Sequence, residues 1–141
     1  MRAVGIRGAV NREQPMDTYE HIITHLRLIS ARKQPCDDAF VKQALEHPDP
    51  IVRQWAISAA SRVKDREFIF EKLQQILNSD VYYDVRIYAL FYLTKMHYKI
   101  SRILVDDFLS QAVTSKQKAI IYEVLRMLQV LRTHTKTNVL F

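Results

Sequence analysis

From Ile51 to Phe141 the chain contains neither glycine nor proline, and that absence narrows the possible folds more than any motif does. Its two glycines are Gly5 and Gly8, and its four prolines are Pro15, Pro35, Pro48 and Pro50. Tight β-hairpins, P-loops and glycine-rich nucleotide turns need positive φ or a close backbone approach, which glycine supplies at least cost. A long stretch without either residue therefore predicts helices joined by short polar breaks. The chain reads as all-α, and its 141 residues are enough to bury roughly two thirds of the unfolded surface without a disulfide or metal staple.

Apolar residues recur at i, i+3, i+4 and i+7 from Asp17 onward. The spacing predicts seven helices, at about Asp17–Ala31, Asp37–His47, Pro50–Val63, Asp65–Asn78, Asp84–His97, Ser101–Thr114 and Lys116–Thr133. Asp17, Asp49 before Pro50, Asp65 and Ser101 stand where a side-chain oxygen can satisfy free N–H groups at a helix start.

The chain also repeats itself. Val52-Arg53-x-x-Ala56 recurs 33 residues on as Val85-Arg86-x-x-Ala89, and a weaker third copy places Gln117-Lys118-x-x-Ile121 on the same frame. Ahead of each copy lies a partner helix with matching apolar positions: Phe40, Val41, Ala44 and Leu45, then Phe70, Leu73, Ile76 and Leu77, then Leu104, Phe108, Leu109 and Val113. A fixed period in the low thirties is the signature of stacked helix pairs.

Asp49-Pro-Ile-Val-Arg-Gln-Trp-Ala56 and Val85-Arg86-Ile-Tyr-Ala89-Leu-Phe-Tyr-Leu93 resemble the opening of the second helix in the HEAT-repeat family. The resemblance runs from about Asp37 to Arg132. It implies a HEAT-like α-solenoid of about three helix pairs behind an N-terminal capping helix, a fold that serves many functions. It also implies that the Arg53, Arg86 and Lys118 ladder is structural, with Asp49, Asp80 and Asp84 as the nearest acidic partners by position.

Residues 1–15, with Arg2, Arg7 and Arg12 against Glu13, read as a disordered arm or a leader before Met16, and residues 16–141 as the helical-repeat domain. A single cysteine, Cys36, excludes an internal disulfide and fits a reducing, cytoplasmic setting. No uncharged run approaches the roughly 18 residues of a membrane span. The 21 Lys and Arg against 15 Asp and Glu give a net charge of +6, compatible with nucleic acid or an acidic protein as partner.

Chemistry-bearing constellations are sparse, and no catalytic residue, metal site or cofactor is expected. Asp17, His21 and His25 share one helical stripe but lack the His-Glu-x-x-His pattern. Asp106 and Asp107 are adjacent and so diverge by about 100° on a helix, wrong for a working carboxylate pair. Asp37 and Asp38 oppose a thiolate at Cys36.

Two surfaces remain. The outward face of the second helices is expected to carry Gln54, Ser58 and Ser61 in one repeat, Ile87, Phe91 and Thr94 in the next, and Ala119, Glu123 and Arg126 in the third. Ile87 and Phe91 would be exposed apolar anchors, with Tyr82 and Tyr83 at the rim and Val139-Leu140-Phe141 or the N-terminal arm as possible covers. The second surface is a basic edge at the turns between repeats: Arg62, Lys64, Arg66, Lys95, Lys99 and Arg102, flanked by Arg32 and Lys33 on one side and by Arg126, Arg132, His134 and Lys136 on the other. Cations at helix C-termini have a sufficient explanation in satisfying the last carbonyls. The sequence thus points to a non-enzymatic protein-binding module, monomeric or weakly self-associating. The alternative is a nucleic-acid-binding module using the basic edge.

Overall fold

The computed structural model of the chain describes residues 18–140, with side chains described through residue 130. The expectations for residues 1–15, for Asp17, for the side chains of Arg132, His134 and Lys136, and for the C-terminal Val139-Leu140-Phe141 lie outside what is described. All regular structure among the described residues is helical: α1 (Tyr19–Ser30), α2 (Asp38–Ala44), α3 (Pro50–Ala60), α4 (Arg66–Ser79), α5 (Tyr83–Lys95), α6 (Arg102–Gln111) and α7 (Ser115–Leu140). Contacts divide the chain into two compact units, one ending at Lys64 and the other beginning at Asp65.

Most starts carry the capping chemistry their residues dictate. Thr18 accepts from the His21 N–H, Asp37 from Phe40, Asp49 from Ile51 and Val52, and Asp65 from Phe68. Ser101 occupies the N-cap of α6 without a side-chain cap bond. The start of α7 is a reciprocal capping box. Thr114 Oγ1 accepts from the Gln117 N–H at 3.1 Å, and Gln117 Oε1 accepts from the N–H groups of Val113 at 2.8 Å and Thr114 at 3.1 Å.

Two helix ends close without glycine. After α1, the Arg32 N–H donates to Ile29 O and the Lys33 N–H to Leu28 O; after α5, His97 donates to Thr94 O and Tyr98 to Leu93 O. This is the Schellman pattern, and it places Arg32 at φ 63° and His97 at φ 65°, the left-handed region that glycine enters most easily.

In the first unit α3 packs against both α1 and α2. Its small side chains Ala56, Ser58, Ala59 and Ala60 are all buried, which lets two helices approach one. Leu26, Ile29, Val41, Leu45, Val52 and Ile57 fill the space between them. In the second unit α5 packs against α4 and α7, and α7 also packs against α6. The core there is built from Ile69, Leu73, Leu77, Val85, Leu90, Leu93, Phe108, Ile121 and Val124. Val113, expected among the core positions of the third pair, lies beyond the end of α6 and is exposed.

Candidate functional site

The outward face expected for the second helices is open in α7, where Ala119 and Arg126 are exposed, and is partly covered in α3 and α5. Ile87 is 1% exposed, and Ser58 and Thr94 are buried as well; this corrects the assignment of Ile87 as an exposed anchor. The physical reason is packing on two sides: α3 contacts both α1 and α2, and α5 both α4 and α7, so less of either circumference meets water. The two buried hydroxyls are satisfied locally. Ser58 bonds to Ser30, and Thr94 Oγ1 donates to Leu90 O at 2.8 Å.

Phe91 is half-buried rather than fully presented. Its ring meets Tyr92 edge to face at 5.1 Å, and Lys95 Nζ lies 5.9 Å from the Phe91 centroid and 5.6 Å from that of Tyr92. Gln54 is half-buried. Glu123 pairs with Arg126 one turn on, which holds the Glu123 carboxyl below its ordinary value and raises the guanidinium. Tyr83, expected at the rim, packs inward: its ring stacks on Phe108 at 5.5 Å and its hydroxyl donates to Phe108 O. Burial raises its phenol above the usual value.

The basic edge is partly spent on local bonds. In the first unit Arg62 Nη1 donates to Ile29 O, in the last turn of α1, at 2.7 Å, while Lys64 is exposed and its main-chain N–H donates to Asp38. In the second unit Arg66 contacts Met96 Sδ at 3.0 Å and Arg102 pairs with Asp106 at 3.2 Å. Lys95 and Lys99 are exposed.

The arginine ladder is tied to main-chain oxygen. Arg53 Nη1 donates to His47 O at 2.8 Å and Pro48 O at 3.0 Å, and Arg86 Nε donates to Leu77 O at 2.8 Å. A cation near the start of one helix thus stabilises the carbonyl end of the preceding one. Lys118 is exposed, and in its copy Gln117 Nε2 bonds Asp84 at 2.8 Å.

What the sequence reading missed is the exposure of Val81 and Val113 at the turns inside the helix pairs, although it did place Tyr82 at the rim. Val81 is 87% and Tyr82 50% exposed in the α4–α5 turn, and Val113 is 81% exposed in the α6–α7 turn. Val81 and Val113 occupy equivalent places one repeat apart, where the first copy has Pro48. That spacing was the available signal.

The residues weighed for chemistry are locally engaged. His21 bonds Thr18 Oγ1 at 2.6 Å through Nδ1, and His25 stacks on Phe40 at 4.3 Å. Asp106 pairs with Arg102 while Asp107 accepts from Gln111, so the two carboxylates diverge. Burial and the Asp38 carboxylate push the Cys36 thiol up to about 11, where it is protonated and a poor nucleophile at neutral pH. Among the described residues no group of three or more His, Cys, Asp or Glu side chains is placed to hold a metal ion, and no helix is long and apolar enough to cross a membrane. No family model, curated protein or solved structure matches the chain.

Proposed function

We propose that the chain is a non-enzymatic, HEAT-like helical-repeat module that binds a protein partner, and that the partner docks on the apolar turns of the second unit. The observation that carries this reading is the exposure of Val81, Tyr82 and Val113 at repeat-equivalent turns. The cost of holding such side chains in water has no return in folding, whereas burial against a partner recovers it. Support for the repeat reading comes from the equivalent bonds of Arg53 and Arg86, which both anchor the carbonyl end of the preceding helix or turn. The Ile87 side chain is already buried and offers no docking surface. The nucleic-acid reading of the basic edge is weakened by the local bonds of Arg62, Arg66 and Arg102.

The test is capture from native lysate, with and without nuclease, using the parent chain beside Val81→Glu/Val113→Glu. A protein held by the parent through nuclease and moderate salt, and lost from the variant at unchanged melting temperature, is the expected result. Capture that disappears with nuclease, or that both chains share, rejects docking at the turns.

A further inference from the structure

We propose that the cavity at the C-terminal end of α1 binds a nucleoside phosphate, taken either free or as one residue of a single strand. The cavity lies wholly within the unit ending at Lys64, and the inference goes beyond the protein docking assigned to the other unit. It is an open groove of about 500 Å³ with Arg27 and Lys33 exposed along it, a volume within the range of roughly 300–1,000 Å³ of small-ligand sites.

Its lining combines Arg27 and Lys33 with the Trp55 ring and the carbon of Leu28 and Ala31, and it includes no carboxylate. Arg27 Cζ lies 5.5 Å from the Trp55 ring centroid. Neither the Arg27 N–H donors nor the Lys33 ammonium meets a side-chain or carbonyl acceptor among the described residues. Three carboxylates of this unit are directed elsewhere: Asp37 caps α2, Asp49 caps α3, and Asp38 accepts from the Lys64 N–H.

The obvious objection is that a helix C-terminus repels anions. Here three of the last four carbonyls of α1 are already answered. The carbonyls of Arg27, Leu28 and Ile29 accept from the N–H groups of Ala31, Lys33 and Arg32, and the Arg62 guanidinium adds a second donor to Ile29 O. The helix-end role usually given to a last-turn cation therefore belongs to Arg62, and Arg27 is left over the indole with its donors available. A planar guanidinium beside an ammonium suits a tetrahedral phosphate, the first by paired N–H bonds and the second as a point charge. An indole face next to them suits a nucleobase, since every base offers a π-face and stacking tolerates sequence. One molecule that carries both groups is a nucleotide.

Trp55 is the only tryptophan in the chain, so its fluorescence reports directly on the cavity. Adenosine monophosphate, adenosine, inorganic phosphate and a short oligoadenylate are titrated into the full chain. Adenosine monophosphate is expected to quench Trp55, with adenosine and inorganic phosphate each at least tenfold weaker. Arg27→Gln/Lys33→Gln should weaken nucleotide binding at least tenfold at unchanged helicity, and Trp55→Leu should do the same by calorimetry. Should the double variant fail to fold, Arg27→Lys decides, since it keeps the charge and loses the fork; a loss of about threefold or more supports the site and unchanged affinity overturns it.

The two sources separate in the same experiment. A strand site binds the oligoadenylate more tightly than the mononucleotide, with log affinity falling against log salt at about −0.7 per phosphate contacted; a mononucleotide site shows no such gain. Inorganic phosphate binding as tightly as the nucleotide, or no quenching by millimolar nucleotide or oligoadenylate, would overturn the proposal.

Discussion

Arg86 performs two tasks with one planar group. Its Nε donates to Leu77 O at 2.8 Å, and its Cζ sits 4.9 Å from the centroid of Phe108. The side chain is half-buried, so the charged hydrogen bond is shielded from water. Arg86→Ala should lower the stability measured by urea unfolding by about 1–3 kcal/mol, and Arg86→Lys should recover less than half of that, since an ammonium neither stacks nor reaches in the same geometry. Asp38 supplies a pH-dependent counterpart. Its hydrogen bond with Cys36 and the N–H of Lys64 hold its carboxyl below the ordinary value of 3.8. A depressed folded-state value contributes stability above the unfolded value and loses it as pH falls through the folded one. The parent should therefore exceed Asp38→Asn at neutral pH, and the gap should close in acid, below pH 3.8, when melting is followed against pH. Arg32 and His97 hold positive φ without glycine; Arg32→Gly and His97→Gly should each raise stability by about 0.5 kcal/mol, the relief of strain exceeding the entropy that glycine adds to the unfolded chain.

The elements show why the helices were readable and their rotation was not. Periodic apolar spacing and Asp49-Pro50 place α3 where it is found, because capping and helix chemistry are local. The outer boundaries moved by up to three residues, except at the end of α7, which continues to Leu140, seven residues past the expected Thr133. The face containing Ile87 was misread because the period identifies one buried stripe, while a second helix packed on two sides buries more than one. An apolar residue off the main stripe was taken as exposed when it marks the second contact. This separates two substitutions on one helix. Ile87→Glu puts a charge into a site 1% exposed and should collapse cooperative unfolding, a loss of several kcal/mol. Phe91→Glu, at a half-buried ring, should cost only about 1–2 kcal/mol, mainly its edge-to-face contact with Tyr92. Thermal melts of the pair check the assignment, and equal losses would show that both rings of contact matter alike.

At the scale of the whole chain, a recurring period can be read in the sequence, whereas the candidate sites largely cannot. Period is written in recurring residues such as Val52-Arg53 and Val85-Arg86, whereas the cavity beside Trp55 depends on which cation turns toward a carbonyl and which toward a ring. No spacing rule separates Arg62 from Arg27 in that respect. The local packing has a consequence for how the molecule opens. In each unit one helix packs against two others: α3 on α1 and α2 in one, α5 on α4 and α7 in the other, where α7 also packs on α6. If stability is the sum of such nearest-neighbour terms, as in a helical-repeat stack, a weakened pair opens ahead of distant ones. Val124, fully buried in α7, tests this. Val124→Ala should lower hydrogen-exchange protection in α6 and α7 first and by the full amount of the destabilisation, on the order of 1–3 kcal/mol for lost methyl groups and the space they leave. The amides of α1, α2 and α3 should keep most of their protection, because no term that includes Val124 reaches them in a nearest-neighbour chain. A uniform loss of protection across all seven helices would mean that the chain unfolds as one cooperative body, and the helical-repeat reading would have to be given up.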